Sequence, residues 1–116
     1  MKRVVLSEDG CDRATAYHMS NKIIRRDDGL YVTWLDSSYR THLNRIDLKT
    51  MTTPDQSIVL AQGIDNHCGA ALALTSDNIL HAMTGGHATG FIYHSSATPM
   101  DRSSWTPPQA VGVAEE

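Results

Sequence analysis

Apolar and polar positions alternate along this chain in short runs, without the spacing of an amphipathic helix. Glycine, aspartate, asparagine, serine and proline separate the apolar runs. This pattern predicts an all-β protein built from antiparallel hairpins. The predicted strands cover residues 17–25, 30–35, 42–48, 57–61, 69–74, 79–83 and 91–95.

An internal repeat emerges when the chain is displaced by 49 residues. Strands, turns and polarity then coincide in the two halves, although few residues are identical. The displacement places residues 18–24 on 67–73, 27–29 on 76–78, 30–34 on 79–83 and 42–44 on 91–93. A unit of about 50 residues with four short strands is typical of one blade of a β-propeller.

The repeat predicts how the chain is divided. We expect a lead-in over residues 1–12, a first propeller-like blade over 13–63 and a second over 64–116, with an incomplete outer strand near 105–111. A propeller typically needs about four to eight blades. Two blades leave sheet edges and apolar faces that require partners. The chain is therefore expected to be a fragment of a larger propeller of about seven blades, or to close a ring by self-association.

Composition and charge exclude several classes of protein. The chain has 116 residues and a net charge of -3, which argues against a nucleic acid or an anionic membrane as partner. No apolar run approaches the roughly 20 residues of a membrane helix, and we expect no signal peptide in this chain. Cys11 and Cys68 form no CxxC pair, and Cys68 is interpreted as a small buried residue.

Histidines supply the candidate chemistry, since the chain has six of them. His18 and His67 are predicted to begin equivalent inner strands, where the funnel of a propeller opens to solvent. His87 lies in a glycine-rich hairpin, and glycine lets such a hairpin approach a ligand closely. The alternative interpretation of the equivalent histidines His18 and His67 is that each makes a structural hydrogen bond at the end of a strand. His81 is interpreted as a packing residue because it alternates with Leu80.

Other chemistries lack support in the sequence. We expect no metal, because His67 and Cys68 are adjacent in a predicted strand and point to opposite faces. No cofactor motif is present either. No serine lies in a G-x-S-x-G elbow or beside a recognisable base. Asp36 and Asp65 are interpreted as turn residues, not as the carboxylate pair of a glycosidase.

Five short motifs follow one another in the second half of the chain. They are D-x-H, L-H, G-G-H, an aromatic strand ending in serine, and P-x-D-x-x-x-W, which are found at residues 65–67, 80–81, 85–87, 91–95 and 99–105. With these motifs the chain resembles the BNR-4 repeat proteins of the sialidase-like propeller group, which includes the ulvan-lyase type of polysaccharide lyases. The resemblance covers residues 13–111 and is specific over 65–105. The tail departs from the sialidase Asp-box, since Trp105 comes one residue early after Asp101.

The resemblance implies a lyase that cleaves uronic-acid-containing glycans of the ulvan type by β-elimination. His67 matches the D-x-H histidine and takes the implied acid–base role. His87 matches the G-G-H histidine and is implied to contact the uronate carboxylate or to stabilise developing charge. Asn66 is an implied secondary donor to that carboxylate, and His18, at the equivalent inner-strand position, is assigned to substrate binding.

The resemblance also sets expectations for the surroundings of the chain. The catalytic tyrosine and the neutralising arginine of the family belong to later blades, so the isolated chain is expected to be inactive. The implied partners are a uronic-acid polysaccharide or oligosaccharide and the remaining blades, without cofactor. The implied location is secreted or periplasmic. The alternatives are a non-catalytic glycan-binding propeller, a sialidase-like glycoside hydrolase and a short self-assembling two-blade protein.

Overall fold

Two antiparallel sheets of four strands each make up the fold. A computed structural model describes residues 2–112, and within that range no helix is long and apolar enough to cross a membrane. The sheets have the strand orders β1-β2-β3-β4 and β5-β6-β7-β8, which confirms the prediction of an all-β chain with two blades. Residues 113–116 of the predicted second blade lie outside the described residues. The strands are β1 Ile23–Arg26, β2 Gly29–Leu35, β3 Arg40–Asp47, β4 Ile58–Gln62, β5 Ala71–Leu74, β6 Leu80–Gly85, β7 Phe91–Ser96 and β8 Gln109–Val111, with a 3₁₀ helix at Arg102–Ser104.

The main hydrophobic core lies between the two sheets. Tyr31, Leu43 and Leu60 of the first sheet are buried against Leu72 and Leu80 of the second. Complete burial of each large apolar side chain stabilises the fold by about 1.5–3 kcal/mol. These contacts hold the two sheets face to face.

Strand β2 is buried on both of its faces. Tyr31 faces the core between the sheets, and Val32 and Trp34 face the lead-in segment, which lies over the other side of the sheet. The backbone N–H of Leu35 donates to the carbonyl of Ala14 at 2.9 Å. Burial on two sides explains why β2 is a nearly continuous apolar run, unlike the alternating strands of a half-exposed sheet.

The inner strands β1 and β5 lie side by side, as expected for neighbouring blades. The backbone N–H of Leu72 donates to the carbonyl of Asn21 at 2.9 Å. Arg26 joins the two sheets a second time, because its guanidinium donates to the carbonyl of Ala97 at 2.7 Å and to that of Asn78 at 3.1 Å. The sheets are therefore linked by polar contacts at their inner edge as well as by the core.

The predicted starts of the inner strands are wrong. His18 lies in a turn before β1, and His67 lies in a turn that ends before β5 begins at Ala71. The predicted strand 17–25 is reduced to the four residues of β1. The physical reason is local turn chemistry, which favours a turn over extended backbone at both places. The backbone N–H of Ser20 donates to the carbonyl of Tyr17 at 3.1 Å, and that of His67 donates to the carboxylate of Asp65 at 2.8 Å.

The repeat displacement also differs from the predicted 49 residues. Strands β2, β3 and β4 begin 51 positions before β6, β7 and β8, whereas β1 begins 48 positions before β5. The difference of three residues lies in one turn. Two residues, Asp27 and Asp28, join β1 to β2, and five residues, 75–79, join β5 to β6. A single displacement cannot align all four strands because this turn is longer in the second blade.

Candidate functional site

The turn at residues 63–70 holds the first part of the site. Cys68 is only 2% exposed and fixes one end of the turn in the protein interior, as predicted for a small buried residue. Its backbone N–H donates to the carbonyl of Asp65 at 3.4 Å. A Cβ on Gly63 would lie 2.5 Å from Cβ of Cys68, so the close approach of these two residues requires glycine. The turn therefore holds the carboxylate of Asp65 at the protein surface.

The hairpin between β6 and β7 supplies the second part. Gly85 and Gly86 have φ values of +84° and +97°, which favour glycine. A Cβ on Gly86 would lie 2.4 Å from Cε1 of Phe91. The two glycines therefore let the hairpin fold back so that the next residue, His87, reaches across to the turn of Asp65.

Asp65, His67 and His87 form one hydrogen-bonded group, called the Asp65 cluster from here on. Nδ1 of His87 lies 2.5 Å from Oδ2 of Asp65, and Nδ1 of His67 lies 3.2 Å from Oδ1. The centres of the two imidazole rings are 4.3 Å apart. The sequence-predicted pair His67 and His87 is thus brought together, by an aspartate that the sequence assigned to a turn.

Hydrogen bonds keep the carboxylate of Asp65 ionised. The backbone N–H of His67 contributes most to lowering the pKa of Asp65 to about 2, followed by the side chains of His87 and His67, while partial burial opposes them. An ionised carboxylate only accepts hydrogen bonds, so Nδ1 of each ring is the donor. In each neutral imidazole the remaining nitrogen, Nε2, then carries a lone pair that can accept a proton.

Both imidazoles line a cavity of about 310 Å³. Lys22 lines the same cavity, and its ammonium group donates to the carbonyl of Ala70. Burial lowers the pKa of Lys22 from its usual value. Tyr17 also lines the cavity, and its ring stacks on His67 with centres 6.1 Å apart. The cavity therefore combines a basic side chain, aromatic surface and two oriented imidazoles.

Two predicted substrate-binding residues lie outside this cavity. The side-chain amide of Asn66 donates to Asp12 at 3.0 Å. His18 is exposed and lines a neighbouring cavity together with Tyr17 and Ile23. Sequence reasoning missed Lys22 and Tyr17, whose approach to the cluster depends on the fold of the segment before β1. No spacing in the sequence signals that approach.

The expectation of no metal rested on a strand geometry that the structure does not have. Because His67 lies in a turn, it is not forced to alternate with Cys68 across a sheet. One potential ligand atom from each of Asp65, His67 and His87 lies within 4.8 Å of the other two. These three residues are therefore able to share one cation.

A second carboxylate–histidine group lies in the first blade. Burial raises the pKa of Asp36, but hydrogen bonds from His42, from the backbone of Arg40 and Ser38, and from the Arg40 side chain lower it to about 2 overall. Nε2 of His42 lies 2.7 Å from Asp36, and Nδ1 lies 2.8 Å from Oγ of Ser57. The expectation that no serine has a partner base is wrong, since the register shift between Thr41 and His42 places Ser57, the residue before β4, beside His42.

His81 is satisfied by its neighbours, as predicted for a packing residue. Its Nδ1 lies 2.6 Å from the hydroxyl of Tyr93, and its Nε2 lies 2.9 Å from Oγ1 of Thr75. The rings of His81 and Tyr93 are stacked with centres 5.8 Å apart. Both ring nitrogens of His81 are thus already bonded within the second blade.

Comparison with known proteins gives one match. A family model described as "BNR repeat-containing family member" matches residues 30–115. No curated protein and no solved structure matches the chain. The matched range includes β3 to β8 in full, β2 except for Gly29, and the whole Asp65 cluster.

Proposed function

The chain belongs to the BNR repeat-containing family, and we propose that its second blade carries part of the active site of a polysaccharide lyase. The proposed substrate is a glycan that contains uronic acid, of the ulvan type. The observation that supports the proposal is the Asp65 cluster, in which one ionised carboxylate orients two imidazoles at the wall of a cavity. A lysine lines the same cavity.

The proposed reaction is a β-elimination. A base removes the proton from C5 of the uronate, the electron pair forms the C4–C5 double bond, and the C4–O bond to the neighbouring sugar breaks. His67 takes the C5 proton on Nε2, since its Nδ1 donates to Asp65. The same ring then returns the proton to the leaving oxygen. A positioned acid–base group of this kind typically accelerates a reaction by about 10²- to 10⁴-fold.

The uronate carboxylate must be neutralised before C5 becomes acidic enough. The ammonium group of Lys22 lines the cavity with both imidazoles, and a cation beside the carboxylate stabilises the charge that develops in the transition state. His87 is assigned to the same task, since it reaches the cluster from the opposite hairpin. Lys22 thereby supplies, from the first blade, a cation of the kind that the family resemblance places in later blades.

The direct test is turnover of ulvan and other uronic-acid glycans by a complete propeller that contains this chain, since the isolated chain is expected to be inactive. The product of β-elimination carries an unsaturated uronate, which absorbs in the ultraviolet. We expect this absorbance to grow with the wild-type protein and His67→Ala to slow it by about 10²- to 10⁴-fold. His81→Gln is the matched control, because His81 lies in β6 of the same blade and its side chain bonds to Tyr93 and Thr75 instead of to the Asp65 cluster.

Two outcomes would contradict the proposal. A protein that binds uronic-acid glycans without ever releasing an unsaturated product is not a lyase. If His67→Ala and His81→Gln retain equal rates, the reaction takes place without the Asp65 cluster. In that case the acid–base assignment of His67 is wrong even if the protein is a lyase.

Glycan binding without turnover is the second candidate function. Tyr17 and Phe91 line the cavity and remain 40% and 48% exposed, and exposed aromatic rings offer the apolar surface on which sugar rings stack. For a binding module we expect calorimetric titration with the glycan to give saturable heat and the recovered glycan to be unchanged. Tyr17→Ala would then weaken binding, whereas His67→Ala would have a smaller effect.

A further inference from the structure

The Asp65 cluster has the donor set of a transition-metal site. Two imidazole nitrogens and one carboxylate oxygen are available within 4.8 Å of one another. Zn²⁺ binds to such nitrogen and oxygen donors, and a site with three protein ligands leaves its fourth position open. We infer that Asp65, His67 and His87 bind a divalent transition-metal ion such as Zn²⁺, with the open position facing the cavity.

The separations in the cluster are close to those that an ion requires. Zn²⁺ holds nitrogen and oxygen ligands at about 2.0–2.2 Å, so pairs of its ligand atoms lie roughly 3–4 Å apart. Nδ1 of His67 is already 3.2 Å from the carboxylate of Asp65, and Nδ1 of His87 is 2.5 Å from it. Only modest rotations are needed, and the side chain of His87 is free to make them because it is 51% exposed.

The ion takes the place of the two hydrogen bonds to Asp65. In the metal-free cluster each Nδ1 carries a proton and donates it to the carboxylate. When Nδ1 of a ring binds the ion, its proton moves to Nε2, and the neutral ring keeps the same number of protons. The carboxylate remains ionised and contributes the negative charge that a divalent cation favours. Binding therefore needs no co-reactant and no change in the net charge of the three side chains.

The donor set also predicts which ions bind. Imidazole suits Zn²⁺, Cu²⁺ and Ni²⁺, whereas Mg²⁺ prefers oxygen ligands in octahedral geometry. Two of the three donors of the cluster are nitrogens. We therefore expect Zn²⁺ to bind and Mg²⁺ at the same concentration to leave the cluster unoccupied.

The ion has a consequence for catalysis that rests on the proposed lyase function. With metal on Nδ1, Nε2 carries a proton and has no lone pair with which to accept another. The ring of His67 then no longer acts as a base. Zn²⁺ is accordingly an inhibitor of the proposed β-elimination, and it competes with the chemistry for the same two rings.

The test is calorimetric titration of the tag-free protein with Zn²⁺ and with Mg²⁺. We expect one Zn²⁺ site, weakened by more than about 10-fold in Asp65→Asn and in His87→Ala, since loss of even an outer partner of a metal ligand typically costs about 10- to 100-fold. His18→Ala is the matched control, because it removes an exposed histidine of the neighbouring cavity and should leave zinc affinity unchanged. Circular dichroism identifies any variant that has lost its fold, and histidine ring shifts in NMR spectra of the wild type locate the ion independently.

Each outcome either supports or overturns the inference. Equal zinc affinity in wild type, Asp65→Asn and His87→Ala, or tighter binding of Mg²⁺ than of Zn²⁺, overturns it. Zinc-dependent shifts confined to rings other than His67 and His87 overturn it as well. Zinc binding at the cluster in a protein without lyase activity supports the site and rejects the proposed function. Lyase activity without zinc binding rejects the site alone.

Discussion

The hairpins that follow the second strand of each blade occupy equivalent places but are built in opposite ways. Asp36 of the first hairpin and His87 of the second are 51 positions apart, as are the strands that precede them. Trp34 and Leu35 precede Asp36, whereas Gly85 and Gly86 precede His87. Asp36 is buried beside these bulky side chains, although Ser37 and Ser38 are exposed, while the glycines leave room for a cavity beside the second hairpin.

Both hairpins join a carboxylate to histidines, yet the two groups differ in solvent access. Asp36 is 2% exposed, and the ring of its partner His42 stacks under Trp34 with centres 5.3 Å apart. The side chain of Asp65 is 32% exposed beside the cavity. The pKa of each carboxyl is lowered to about 2. A lowered carboxyl pKa therefore does not distinguish a structural group from a candidate site, whereas exposure does.

The largest effect is expected from removing the buried charge in the first hairpin. Asp36→Asn should lower the free energy of unfolding by about 3 kcal/mol, because breaking a buried ion pair leaves its partners unsatisfied. Chemical denaturation measures this change. Asp65→Asn is the equivalent change at the exposed group and should have a clearly smaller effect. Equal losses in the two variants would show that the two groups do not differ as described.

The carboxyl group of Asp36 is also expected to make the free energy of unfolding fall at acidic pH. Its folded pKa of about 2 lies below the value of about 3.9 in unfolded chains, so the unfolded state binds a proton first as pH falls. The stabilisation is complete above about pH 4 and disappears toward about pH 2. Denaturation at a series of pH values should show this loss in wild type and a shallower loss in Asp36→Asn.

An intermediate loss of stability is expected when a glycine of the second hairpin is replaced by a larger residue. Gly86→Ala places a Cβ 2.4 Å from the ring of Phe91 at a φ of +97°, and the strain should cost about 1–3 kcal/mol of stability. Gly112→Ala is the control, since Gly112 also has positive φ but no other atom of the described residues 2–112 lies within 4 Å of the added carbon. If both variants lose the same stability, the contact with Phe91 plays no part and backbone strain alone accounts for the loss.

The smallest effect concerns a buried histidine in the second sheet. His94 lies 51 positions after Leu43 and is 1% exposed, and neither of its ring nitrogens has a partner among residues 2–112. Burial, together with the charge of Arg102, lowers the pKa of His94. Below about pH 6.5 the imidazole is therefore protonated more readily in the unfolded state than in the folded state, and the free energy of unfolding falls as the pH drops.

The variant His94→Leu tests this prediction, because leucine is the residue at the equivalent position of the first sheet, Leu43. The free energy of unfolding should decrease less between pH 7 and pH 5 in the variant than in wild type, since leucine has no proton to bind. Thermal melts at several pH values measure the difference. An unchanged pH slope would mean that another group is responsible for this part of the curve.

The sequence predicted the sheets better than the site. The apolar run of β2 and the turn residues around it define a strand without any knowledge of the fold. The predicted strand 17–25 failed because the turn chemistry around His18 and the lead-in opposes extended backbone there. The 49-residue displacement failed because the inner turns differ in length.

Part of the site was accessible from sequence and part was not. His67 and His87 were found from the sequence because they match the D-x-H and G-G-H motifs of the family that the chain resembles. The role of Asp65 depends on the hairpin folding back by way of two glycines, and Lys22 reaches the cavity from another blade. The Ser57–His42–Asp36 contacts arise from a bulge, and bulges leave little trace in an apolar pattern.

The longer turn between β5 and β6 shows where the polypeptide accepts a change of length. Two copies of one unit have kept Ile24 and Leu72 against the same core while differing by three residues in this loop. The loop still carries contacts, because the carbonyl of Asn78 accepts from Arg26 and Oγ1 of Thr75 lies 2.9 Å from Nε2 of His81. Ser76, which is exposed and takes no part in either contact, is accordingly the place to insert a peptide epitope or a fluorophore site with little disturbance to either sheet.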